Sequence, residues 1–164
     1  MHKDESRKST ARGRDPQDEK FFSPDAVRKL CYAQEEVRFF LDRGYPMKPI
    51  IKLIGDHYQF STRQRLALMR GTCSTQSEAT RKAKCVMLEQ MRGQTIFIDG
   101  FNLMICLEVA LSGSILIRGQ DGLIRDLAGL RGTYKLIDKT EEAIKLIGQV
   151  LDKLQVEDEL PPKS

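Results

Sequence analysis

A carboxylate at the end of an apolar run, with a glycine and an asparagine close behind it, can hold a divalent cation beside a phosphate. Asp99-Gly100-Phe101-Asn102 follows Thr95-Ile96-Phe97-Ile98 in this way. The apolar run is short, continuous and β-rich, the pattern of a strand buried on both faces in a parallel sheet. Asp99 then falls at the strand's C-terminal end, the edge where open α/β sheets bind ligands. Mg²⁺ and Mn²⁺ prefer oxygen ligands, which Asp99 supplies. Gly100 permits an unusual turn. Asn102 would orient Asp99, hold substrate or water, or cap the following helix, whose N-terminus itself favours a phosphate. The plainer reading stays open beside this one: Asp-Gly-x-Asn is good turn chemistry, with Asn102 a simple N-cap.

Three further acids are candidates for the same shell. Glu108 lies in an apolar helix between Leu107 and Val109, either on its exposed face, the reading favoured here, or turned toward a site. Asp121 and Asp126 follow a second β-rich run, Ser114 to Arg118, and would approach Asp99 across adjacent strand ends. Asp121-Gly122 is equally a turn, and Arg125 beside Asp126 equally an ordinary ion pair. Tyr134 and Arg131 could meet a base or phosphate, although core packing and surface exposure are the favoured readings for each.

Basic residues cluster upstream. From Arg43 to Arg92 there are ten Lys or Arg and three Asp or Glu, a balance of 10 − 3 = +7, against +4 for the whole chain. Arg63, Arg65, Arg81, Lys82 and Lys84 lie on two predicted helices and suit a phosphate backbone. A solvated helix surface accounts for them equally well. Cys31, Cys85 and Cys106 sit among apolar residues and read as buried thiols. With no Cys-x-x-Cys pair and only His2 and His57, paired zinc ligands are not indicated.

The elements that must position these groups change character along the chain. Residues 1–20 are polar and read as a disordered tail. Ser23-Pro24-Asp25 starts a helix that Gly44-Tyr45-Pro46 stops. A short helix follows through Ile50 to Ile54. Ser61-Thr62-Arg63-Gln64 is a capping-box pattern, and Thr75 to Glu78 a second, opening a helix toward Met91. Residues 21–93 thus read as all-helical, with a helix-turn-helix-like corner around His57 to Phe60. Residues 94–156 read as strand, helix to Leu111, strand, a helix from Leu123 to Leu130, and a last helix capped near Thr140. Strand, helix, strand predicts a βαβ unit. Residues 157–164 should fray. The expected class is α+β overall: a helical region, then a partial, truncated α/β domain of Rossmann-like type whose open edge a second copy would complete as a homodimer.

Two stretches carry a resemblance. Phe22-Ser23-Pro24 and Gly55 through Arg65 resemble the archaeal and bacterial family called domain of unknown function 434. Ile98 through Asn102, Leu111-Ser112-Gly113, and Asp121 through Leu127 resemble the domain that follows it there. More distantly, the apolar run and Asp-Gly-Phe-Asn are similar to the opening of PIN-like and NYN-type nucleases. That likeness implies a ribonuclease using Mg²⁺ or Mn²⁺, with Asp99 as first motif acid, Asn102 as its Asn, and Glu108, Asp121 and Asp126 as candidates for the rest. The nuclease pattern also needs acids in a later βα segment, which this chain ends before.

No apolar run approaches the roughly 20 residues needed to span a bilayer, and the first residues lack a signal peptide's apolar stretch, so no membrane partner and a cytoplasmic location are expected. Three functional expectations follow. One is a divalent-metal-dependent RNA nuclease. Another is a non-catalytic nucleic-acid-binding protein, RNA rather than DNA. The third is an incomplete gene product without independent function.

Overall fold

The computed structural model describes residues 11–130 and 134–155. Helix α1 (Asp18–Phe21) is a single turn. Helix α2 (Pro24–Leu41) starts as expected: Ser23 accepts a hydrogen bond from the Ala26 amide, and Pro24 stands where no intrahelical N–H is required. Helix α3 (Met47–His57) runs past Gly55, because Ile50, Ile51 and Ile54 form one buried stripe that carries the helix onward. Helix α4 (Thr62–Gly71) opens on a complete capping box: Ser61 accepts from the Gln64 amide and the Gln64 side chain accepts from the Ser61 amide. Ala33, Val37, Ile50, Ile51, Ile54, Phe60 and Leu68 make the core of this helical half.

Helix α5 (Thr75–Lys82) is shorter than expected. It is capped by Ser74 rather than Thr75 and gives way to turns and one 3-10 turn, Leu88–Met91. None of its residues is buried, so no apolar face carries it toward Met91. Helix α6 (Gly100–Leu111), strands β1 (Leu116–Arg118) and β2 (Ile124–Asp126), and helix α7 (Thr140–Leu154) complete the order.

The mixed half departs from the sequence expectation. Residues 95–98 are not a strand, and the Phe97 side chain is 85% exposed. The sheet is a two-stranded antiparallel hairpin, with Leu116 opposite Asp126, Ile117 opposite Arg125 and Arg118 opposite Ile124. There is thus no βαβ crossover among the described residues, and β2 replaces the helix expected from Leu123. Chain economy explains the choice. A tight turn closes with little loop entropy, whereas a crossover must first order a helix. Gly119 N–H donates to Leu123 O, Gly122 N–H to Gly119 O, and Leu123 N–H to the Asp121 side chain. Gly122 sits at φ 81°, which glycine adopts without strain. The class is α+β, mostly helical with one small sheet.

Residues 11–20, expected within a disordered tail, pack against the mixed half. Gly13 at φ 75° brings the chain so close that a Cβ there would stand 3.2 Å from Val109 and 3.3 Å from Ala128. Arg12 reaches into the mixed half and meets Glu108, which is 0% exposed, with Nε 2.7 Å from Oε2. The pair is close in charge but not aligned as a hydrogen bond. The other Glu108 oxygen accepts from Tyr134 O–H at 2.5 Å and from the Thr140 hydroxyl. The expectation of an exposed Glu108 is therefore corrected: three polar groups, Arg12, Tyr134 and Thr140, make its burial tolerable.

Arg12→Ala would leave this carboxylate buried without its counter-charge. We expect a loss of about 3 kcal/mol, from the cost of breaking a buried pair. Urea unfolding measures it; an unchanged midpoint with unchanged slope would refute the role given to Arg12.

Candidate functional site

The acids expected to share a metal are separated and largely occupied. Asp99 caps α6, one oxygen accepting from the Asn102 N–H at 3.3 Å and the other from the Asn102 side-chain amide at 2.6 Å. The cap is therefore Asp99, not Asn102. The Asp121 side chain is 1% exposed and accepts from Arg81 at 2.8 Å and from Arg125 at 2.8 and 2.6 Å. Asp126 accepts from Arg70 at 3.1 Å and from the Ala128 N–H at 2.8 Å. Arg125 thus pairs with Asp121, and the partner of Asp126 comes from α4. Among the described residues no three His, Cys, Asp or Glu side chains gather where they could hold a metal ion together. A divalent cation would have to displace a guanidinium at Asp121 or Asp126, or enter the sealed pocket of Glu108, so these donors do not fit a shared site in this arrangement.

The expected cationic grip has a similar fate. Arg63 spans three parts of the chain, holding Asp18, Gly13 O at 2.6 Å and Leu127 O at 3.1 Å. Arg81 is bound to Asp121, and Lys82 to Glu78 at 2.5 Å. Arg65 holds Asp56 at 2.7 Å and Phe60 O at 2.8 Å, yet keeps a surface toward solvent. Lys84 is exposed. The thiols also differ from expectation: Cys31 is exposed on α2, Cys85 is exposed in the turns after α5, and Cys73 is buried. Burial, then the nearby Asp121 charge, pushes the Cys73 thiol up, the direction of an inert side chain. Arg131 lies outside the described residues.

One cleft collects what remains. It encloses about 610 Å³ between α3 and α4 on one side and α6 and β2 on the other. Arg65, Arg70 and Thr62 stand on the α4 wall, with Asn102 and Asp126 across from them. Leu66, Met69, Ile105 and Leu130 supply its apolar lining. Asp99 borders it through the Asn102 amide. Arg70 and Thr62 were missed from sequence. Thr62, Arg65, Leu66, Met69 and Arg70 recur on one face of α4, and that spacing was the available signal.

Comparison with known proteins fits this two-part layout. Residues 29–84 match the family model described as Protein of unknown function (DUF434), and residues 88–160 match Domain of unknown function (DUF5616). The chain is thus similar to DUF434 in its first segment and to DUF5616 in its second. It is 32% identical over 119 residues to an uncharacterized protein of Methanocaldococcus jannaschii, covering 73% of this chain and 57% of that relative. The chain thus spans little more than half the relative's length. No solved structure matches it. The cleft lies between the two segments, α4 belonging to the DUF434-like one and α6 and β2 to the DUF5616-like one. The change of model, between residues 84 and 88, precedes the 3-10 turn, which packs on α7 of the DUF5616-like segment.

The Asp121 site makes acid sensitivity predictable. Hydrogen bonds from Arg125 chiefly, then from the Leu123 N–H and Arg81, outweigh burial and hold this carboxyl far below the usual carboxylate range. A lowered folded value means that the stabilisation is complete above the unfolded value of about 4 and fades as pH falls below it. Thermal midpoints between about pH 6 and pH 3 should therefore fall steeply in the wild type. Asp121→Asn should start lower and decline less; parallel curves would exclude Asp121 as a source of the acid limb.

Proposed function

We propose that this chain is a nucleic-acid-binding protein that takes single-stranded RNA in the cleft between its two segments. The observation that carries this reading is the composition of the cleft. Two guanidiniums and a hydroxyl stand on one wall above an apolar floor, with the Asn102 amide opposite. An unstacked nucleotide needs such a surface: cations for phosphate, apolar area for the base, and an amide or hydroxyl for base edges. RNA offers such bases in loops and single strands, whereas duplex DNA keeps them stacked. The expected grip is thereby narrowed. Arg65 lines the cleft, with Arg70 and Thr62 added to it. Arg65 and Arg70 also hold carboxylates, Asp56 and Asp126, but line the cleft, whereas Arg63, Arg81 and Lys82 hold theirs outside its lining and Lys84 remains an outlying cation.

The finer reading, a PIN-like nuclease using Mg²⁺ or Mn²⁺, has one observation in its favour, the exposed Asp99 carboxylate beside Asn102 at the border of the cleft. Fluorescence anisotropy with a labelled single-stranded RNA separates the possibilities. Binding should weaken as salt rises. Arg65→Gln should weaken it by about 1 kcal/mol or more, as a charge-assisted contact implies, and the melting temperature reads separately what the lost bonds to Asp56 and Phe60 O cost the fold. Binding indifferent to salt and to Arg65→Gln would overturn the proposal. RNA shortened only with Mg²⁺ or Mn²⁺, and left intact by Asp99→Asn, would replace binding alone with cleavage.

A further inference from the structure

Residues 95–98 present an unusual surface. They are apolar and β-rich, yet among the described residues none of their backbone N–H or C=O groups joins a strand or loop hydrogen bond. Phe97 is 85% exposed and Ile98 half exposed. Immediately after them Phe101 joins Leu136 and Ile144 around an almost wholly apolar hollow of about 400 Å³, and Leu136 is 77% exposed. These five side chains leave on the order of 600 Å² of apolar area in water, the upper end of what an isolated monomer shows.

From these features we infer that the surface is a self-association face, and that its occupant is a second copy of this chain in antiparallel pairing of residues 95–98. Three observations select a second copy. The area approaches the roughly 800 Å² per partner of a standard stable interface. The unpaired backbone is uncharged and β-prone, so it can complete a ladder with its own duplicate about a two-fold axis, where each copy donates and accepts alike. The charges at its two ends are complementary: Arg92, exposed and without a partner among the described residues, precedes the run, and exposed Asp99 follows it. Antiparallel pairing sets the basic end of each copy against the acidic end of the other. The apolar hollow by Phe101 then offers each copy's Phe97 ring a seat on its partner. The face and the cleft share only Asp99, which borders the cleft through Asn102, so Phe97→Asp tests the face apart from RNA binding.

Sedimentation velocity of the full chain over about a hundredfold range of concentration tests it, and a two-fold dimer is expected. Phe97→Asp places a charge on an already exposed position, so folding should persist while dimer dissociation rises by about tenfold or more. The charge pattern gives a second arm. Arg92→Asp and Asp99→Arg should each weaken self-association, and an equimolar mixture of these two variants should restore it as a heterodimer, since both crossed pairs are then opposite in sign. Loss of the Asp99 cap is read separately from helix content. A monomer at every concentration would overturn the inference. So would a dimer untouched by Phe97→Asp, or a variant mixture no stronger than either variant alone.

Discussion

Taking a carboxylate out of water is so costly that a protein does it only where a cation and hydrogen bonds meet it. This chain does so repeatedly. Asp18 is held by Arg63, Glu108 by Arg12, Asp121 by Arg81 and Arg125, and Asp126 by Arg70. In most of these pairs the acid and the base come from different parts of the chain. Glu108, Asp121 and Asp126 come from a helix and a hairpin of the mixed half too small to bury them alone, and apart from Arg125 of the hairpin their arginines come from the helical half and residues 11–20. The apolar core of the helical half is therefore only part of what holds the fold. The two halves are joined by desolvated charge, and the geometry of the cleft between them follows from where α4 must lie for Arg63 and Arg70 to reach their partners.

That constraint explains which parts of the fold were legible in the sequence. Helix starts were, because a cap is local: Ser23 and Ser61 act where the pattern placed them. The isoleucine stripe of α3 was legible for the same reason. The strand expected over residues 95–98 was not borne out, because hydrophobic runs report burial in a sheet only when another strand stands beside them. The hairpin was hidden in another way. Ile124-Arg125-Asp126 has no apolar alternation to mark a strand; what sets its register is Arg125 turning to Asp121 on one side and Asp126 turning to Arg70 on the other.

The candidate residues suffered a related ambiguity. Sequence marked one group as acids for a cation and another as cations for a polyanion. Asp121 and Arg81 were drawn from the two groups, and in the fold they bind each other. Charge counts in sequence cannot separate a cation that waits for a ligand from one already engaged, because the engaged partner lies 40 positions away. Arg65 and Asn102, by contrast, were marked for chemistry and do line a cleft, since each is tied to a neighbour close in sequence and keeps one side open.

Gly71 adds one more connection between the halves. Its carbonyl, left over at the end of α4, accepts from the Gln120 backbone N–H at 2.9 Å and from the Gln34 side chain at 2.8 Å. The first of these bonds involves no side chain at all. Sequence drift can exchange an arginine for a lysine or an aspartate for a glutamate along the charged seam, and that backbone link would keep the hairpin in the same place while it happens. Only a residue without an N–H at position 120 would remove it, so the relative position of the two segments is heritable independently of the charges that reinforce it.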